Sequence, residues 1–175
     1  MRYTDFLKTT VLLAAGEATA LAIVTIAVVA GDDDRTALYF ALGWWVLSGI
    51  IGIWLGRRVD TTTGIARLLA QAKSVTTLAP VRPGLLLLNR LWLMIAVAVL
   101  AAGTAWLIPQ FAAVAAGGLT IVALAWRKQD RAVTAIEERD GVQYYVVPSS
   151  PFGAIELVRA GGFKRLRGDN GAGRI

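Results

Sequence analysis

Four apolar stretches divide this chain, and nearly all of its positive charge lies on one side of the plane they would cross. An unbroken apolar run of about 20 residues is long enough, as a helix rising ~1.5 Å per residue, to cross the hydrocarbon core of a bilayer. The expected spans are about Thr10–Ala30, Leu38–Leu55, Leu85–Ile108 and Phe111–Trp126, the last starting as early as Pro109. Their limits are marked by residues that leave an apolar helix badly. Arg2 and Lys8 precede the first span and Asp32, Asp33 and Asp34 follow it. Arg57 and Arg58 stop the second, Pro80, Pro83 and Gly84 break the segment before the third, and Arg127 and Lys128 stop the fourth.

The loops set an orientation. The N-terminus, the segment 57–82 and everything after Arg127 are basic, whereas the connection after span one is acidic and Pro109-Gln110 is an uncharged turn. The positive-inside rule then places both termini in the cytoplasm of a multi-pass plasma-membrane protein. Aromatics agree with this. Tyr39, Phe40, Trp44, Trp106 and Phe111 fall near one interface, and Trp54, Trp92 and Trp126 near the other. A cleavable signal peptide ending near Ala30 competes for span one, but the apolar run is long for that role and carries Glu17.

Composition narrows the chemistry. The chain is 56% hydrophobic and only 17% charged, against roughly half and a quarter in soluble domains. It has no cysteine and no histidine. That removes Cys/His zinc sites, thiolate nucleophiles, histidine-ligated haem and Ser-His or Cys-His dyads. No Gly-rich phosphate loop, HExxH or GxSxG stands in a suitable context. The pI near 10.2 does not require nucleic acid, because cytoplasmic loops are basic through insertion rules and attraction to anionic headgroups. The richness in Arg, Ala, Gly and Val fits a bacterial gene of high GC content.

Between spans two and three, residues 62–79 have helical period. Ile65, Leu68, Leu69, Ala72 and Val75 share one face; Arg67, Gln71, Lys73 and Ser74 share another. This predicts an amphipathic helix in the inner interface. After span four, a helical extension is expected to about Arg139, ended by Asp140-Gly141. A β-hairpin follows from Val142–Val147 and Ala154–Val158, with Tyr144, Tyr145, Phe152 and Phe163 leaning on the membrane surface, the cytoplasmic helix or another chain. Residues 164–175 read as a disordered Gly/Arg/Asp tail. The fold class is an all-α integral membrane protein: a four-span domain over 1–126 and a cytoplasmic helix and hairpin over 127–163.

Two groups of residues stand out. Glu17 lies inside span one, where a carboxylate costs roughly 2.5–3.5 kcal/mol on insertion scales and should face protein or water. Asn89 and Arg90 open span three at a similar expected depth, so a Glu17–Arg90 pair is allowed, as a relay, a headgroup site or a packing ion pair. In span two, Trp45, Ser48, Gly49, Gly52 and Gly56 recur at three- and four-residue steps. Gly52-x-x-x-Gly56 permits close backbone approach, within one bundle or between chains. The acidic triplet after span one reads as a solvated loop, and Glu137, Glu138 and Asp140 as a solvated, salt-bridged helix end.

These features imply no cofactor, no metal and no convergent catalytic set. The expected function is a structural or regulatory subunit of a larger membrane complex, held by anionic headgroups and a protein partner or a second copy. The alternative is a small homo-oligomeric channel or transporter using Glu17, though the spans are otherwise almost entirely apolar.

Overall fold

The computed structural model describes residues 1–31, 35–57, 69–70, 72–74, 82–147 and 155–161. Five helices carry the fold: α1 (Tyr3–Val29), α2 (Thr36–Leu55), α3 (Pro83–Thr104), α4 (Pro109–Trp126) and α5 (Gln129–Asp140). The strands are β1 (Lys73–Ser74), β2 (Val142–Val146) and β3 (Leu157–Gly161). By length and composition, four helices can cross a membrane: α1, α2, α3, and α4 continuing into α5. Their apolar side chains face outward as a girdle that includes Leu12, Ile23, Phe40, Val46, Ile50, Val99 and Leu100. A soluble monomer rarely exposes so large a continuous apolar surface.

Helix limits follow local chemistry. Pro83 and Pro109 each stand in the first turn, where a missing N–H costs nothing. The turn between α3 and α4 is tight, with the amides of Leu107 and Ile108 both donating to Thr104 O. Threonine hydroxyls within the apolar helices donate to the carbonyl four residues back, as Thr10 does to Phe6 (2.9 Å) and Thr25 to Leu21 (2.8 Å). Gly141 ends α5 in the left-handed region at φ 63°, and its N–H donates to Glu137 O.

α4 is the central helix. It packs mainly on α1 and α2, less on α3, while α1 and α2 scarcely touch each other. Its α1 face is small: Ala112, Ala116, Leu119 and Ala123 meet Ala14, Ala18 and Leu21 of α1 and Ala98, Ala101 and Ala105 at the far end of α3.

At the other end the helices run into a cap. Tyr3, Phe6 and Leu7 of α1, Leu86 and Leu91 of α3, Val133 of α5 and Tyr144, Val146 and Leu157 of the sheet form one buried cluster. This core crosses the expected boundary at 126/127. β2 pairs antiparallel with β3, Val142 opposite Gly161 and Val146 opposite Leu157, and β1 pairs parallel on the far side of β3. The free edge of β2 is covered by the N-terminus: Arg2 bridges Tyr145, and Val146 N–H donates to Met1 O at 3.0 Å. Glu137, buried in the cap, accepts from Tyr144 N–H (2.9 Å) and from Arg2 Nη2 (3.1 Å).

Several expectations change. α1 begins at Tyr3, not Thr10, because the cap shields its first turns. α3 ends at Thr104, and 105–108 form a turn rather than the last residues of the expected span. The amphipathic helix does not run through to residue 79. Leu69 and Ala70 are helical, but Lys73 and Ser74 are drawn into the sheet, where β3 offers backbone partners. The rest of 62–79 lies outside the described residues apart from buried Ala72, as do Phe152, Phe163 and the tail 164–175. The hairpin forms as expected at β2, while β3 starts three residues later than anticipated. Glu137 is not part of a solvated helix end; the description holds for Arg139 and Asp140, which pair at 2.7 Å in the open.

Replacing Glu137 by Ala is expected to destabilise the cap by about 1.5–3 kcal/mol, the worth of a buried hydrogen bond to a charged group. Glu137→Gln should cost under about 1 kcal/mol, since it keeps an acceptor for Tyr144 N–H and the lost ion partner Arg2 is largely solvated. Amide exchange at Tyr144 separates the two. Burial raises the Tyr144 phenol above its ordinary value of 10.0, and the Asp140 charge adds to the rise. The folded cap therefore holds that proton more tightly than the unfolded chain. Its contribution is complete below about pH 10 and is lost as pH rises past it. Alkaline unfolding of Tyr144→Phe against the parent, followed by circular dichroism, should show a shallower decline for the variant.

Candidate functional site

Glu17 is half-buried, and its Oε2 is shielded from solvent with no hydrogen-bond partner among the described residues. The expected ion pair with Arg90 does not form. The reason is depth. With α1 starting at Tyr3, Glu17 stands about 21 Å along its helix, at ~1.5 Å per residue. Arg90 stands only about 10 Å along α3 by the same rise. Residues from the lower turns of both helices lie in one core cluster. Arg90 is half-buried and Asn89 exposed, and each is engaged in interactions of its own. Glu17 shares a helix face with Leu13, Val24 and Val28, which sit at the margins of the two cores. The carboxylate is therefore left near the middle of a 27-residue helix, beside apolar neighbours.

The small-residue stripe of α2 divides in two. A Cβ on Gly52 would lie 2.8 Å from Leu124 Cβ and 3.1 Å from Ile121 Cα, and one on Gly56 would lie 2.8 Å from Leu124 O. Both glycines therefore admit α4 of the same chain. Higher up, Gly117 of α4 returns the favour: a Cβ there would fall on the Trp44 indole nitrogen and Ser48 Oγ. Trp45 Nε1 donates to Ala113 O at 3.0 Å and Trp44 Nε1 to Val114 O at 3.2 Å, tying the start of α4 to α2. Gly49 is not part of this contact, for a Cβ on it would meet nothing within 4 Å.

A feature that sequence reasoning missed lies where α1 meets the α4–α5 junction. A cavity of about 230 Å³ is walled by Leu7, Val11, Leu12 and Trp126 and carries Lys8, Arg127 and Asp130. Lys8 and Arg127 are exposed, and Asp130 Oδ1 is buried without a hydrogen-bond partner among the described residues. The sequence signal was a basic residue at each end of two antiparallel spans, Lys8 and Arg127. It was read as topology because nothing in the chain shows that α1 and α4 are neighbours. Among the described residues no group of three or more acidic side chains is placed to hold a metal ion.

Comparison with protein-family models, with curated proteins and with solved structures finds no match.

Because Gly52 is filled by α4, Gly52→Leu is expected to overpack the fold itself, by about 1–3 kcal/mol or more. Gly49→Ala should be neutral or slightly stabilising, by up to about 1 kcal/mol, since alanine favours a helix over glycine. Thermal unfolding of the two variants in detergent checks the contrast.

Proposed function

We propose that this chain is a multi-pass plasma-membrane protein, both termini cytoplasmic, that serves as a structural or regulatory subunit of a larger membrane complex. The outward apolar girdle supports insertion. The charge distribution supports the orientation: Arg2, Lys8, Arg57, Arg82, Arg127, Lys128, Arg131, Arg139 and Arg159 belong to the cap end, and Arg35 to the opposite end. The sheet, α5 and the N-terminus then form a compact cytoplasmic knob fused to the spans.

The observation that carries the subunit reading is Glu17. A carboxylate near the middle of a long apolar helix, with a shielded oxygen and no donor among the described residues, is expensive in a bilayer. A donor from a neighbouring membrane helix removes that cost, and a side chain on the margin of the bundle is reachable by one. The close-packing glycines Gly52, Gly56 and Gly117 are filled by contacts within the chain. Glu17 is thus the polar anchor and the apolar surface of the spans its surroundings.

Gentle solubilisation followed by native mass measurement tests this. The expected result is a hetero-assembly, and Glu17→Ala should weaken it about three- to thirtyfold, the range given by ~0.6–2 kcal/mol for a polar contact between membrane helices. A stable monomer whose behaviour is indifferent to Glu17 would overturn the reading. A homo-oligomer whose ion flux depends on Glu17 would instead establish the channel alternative.

A further inference from the structure

The cavity between α1 and the α4–α5 junction has the chemistry of a lipid headgroup site. It lies at the cap end, where Trp126 and Arg127 mark the close of a span. Leu12 on its wall is 72% exposed on the outer surface of the bundle, so the cavity opens sideways. Two cations, Lys8 and Arg127, come from different helices, and neither has an ion-pair partner among the described residues. Asp130, whose Oδ1 is buried without a donor among the described residues, lines the same cavity. Apolar walls, two free cations and one unmet acceptor call for an occupant that is amphiphilic, anionic and able to donate a hydrogen bond. The formal charge of the three groups is +1, which complements a monoanion. At about 230 Å³ the space is smaller than the ~300–1,000 Å³ of small-molecule pockets, so it suits a headgroup whose acyl chains remain outside.

We propose that this cavity binds the headgroup of an anionic phospholipid of the phosphatidylglycerol type. The phosphodiester lies between Lys8 and Arg127, and a glycerol hydroxyl donates to Asp130 Oδ1. The site rests on the membrane reading above, and it sharpens a diffuse attraction for anionic headgroups into one position. It also gives Asp130 Oδ1 the donor that the described residues do not provide. The lipid bridges α1 to the first turn of α5, and so couples the spans to the cap.

The full chain reconstituted in phosphatidylcholine nanodiscs containing a minor share of phosphatidylglycerol, with retained lipid counted by native mass spectrometry, provides the test. Phosphatidylglycerol should be retained about tenfold or more over phosphatidylcholine. Lys8→Gln and Arg127→Gln should each lower that preference about fivefold, in keeping with the attraction of one basic residue to anionic lipid. Arg127→Lys should keep most of it, and Lys128→Gln, outside the cavity, all of it. Equal retention of the two lipids overturns the proposal. So does an equal loss in Lys128→Gln and Arg127→Gln, which would reduce the effect to diffuse charge, or displacement of the lipid by free glycerol 3-phosphate at matched concentration. Failure of the chain to enter phosphatidylcholine discs at all would overturn the membrane reading and the site together, whereas entry without lipid preference overturns the site alone.

Discussion

The close approach of α4 to its neighbours is the constraint on which the rest of the structure depends. Helices that pack in lipid gain little from the hydrophobic effect, because the tails they leave are as apolar as the side chains they meet. Attraction then comes from dispersion across short distances and from the few polar contacts available. α4 meets both needs. Its alanines bring α1 and α3 close on one side, and Gly117 admits Trp44 and Ser48 of α2 on the other. The two indole N–H groups find carbonyls of the same helix. Since α1 and α2 scarcely touch, the bundle is held through α4 rather than by a ring of equal contacts.

That arrangement explains why the cap is continuous with the spans. α4 passes into α5 through a short turn at Arg127 and Lys128, and α5 carries Glu137 back over the start of α1. Glu137 joins Arg2 to β2, while Met1 pairs with the edge of β2. A two-stranded hairpin is marginal alone in water. Here it gains a third strand, a covered edge and the aromatic start of α1, where Tyr3 and Phe6 stack at 6.4 Å. The first turns of α1 are therefore part of the cap's core as much as of a span.

Legibility in the sequence tracked the range of the interaction. Span number, the Pro109 start, the Gly141 stop and the β2 strand are set by local hydropathy and backbone chemistry, and these were readable. The helical pattern of 62–79 was read from the same periodicity, yet at Lys73 and Ser74 a nonlocal partner, β3, won over it. The role of Glu137 and the N-terminal edge strand depend on contacts across about 135 residues, which no local pattern encodes. Trp45, Gly52 and Gly56 were found as a stripe, but helical period could not tell a partner in the same chain from one in another, and it could not set Gly49 apart. Glu17 was found by its cost alone. Its separation from Arg90 required knowing where α1 begins, which the cap decides.

Two of the buried polar groups without a partner among the described residues, Glu17 and Asp130, differ in their position along the bundle, and position suits them to different tasks. Glu17 lies about 21 Å along α1 at ~1.5 Å per residue, and in the proposed membrane setting a neighbouring membrane helix is what would answer it there. Asp130 stands in the first turn of α5, just past the end of α4, which in the proposed membrane setting is the level of the headgroups. Its companions Lys8 and Arg127 would be ordinary snorkelling residues if they lay apart on the surface. Set around one cavity with a buried acceptor between them, they form a position with a shape and a charge. α1 carries both features, Lys8 near its start and Glu17 near its middle. Lipid bound at the first and protein bound at the second would therefore act on the same rigid helix.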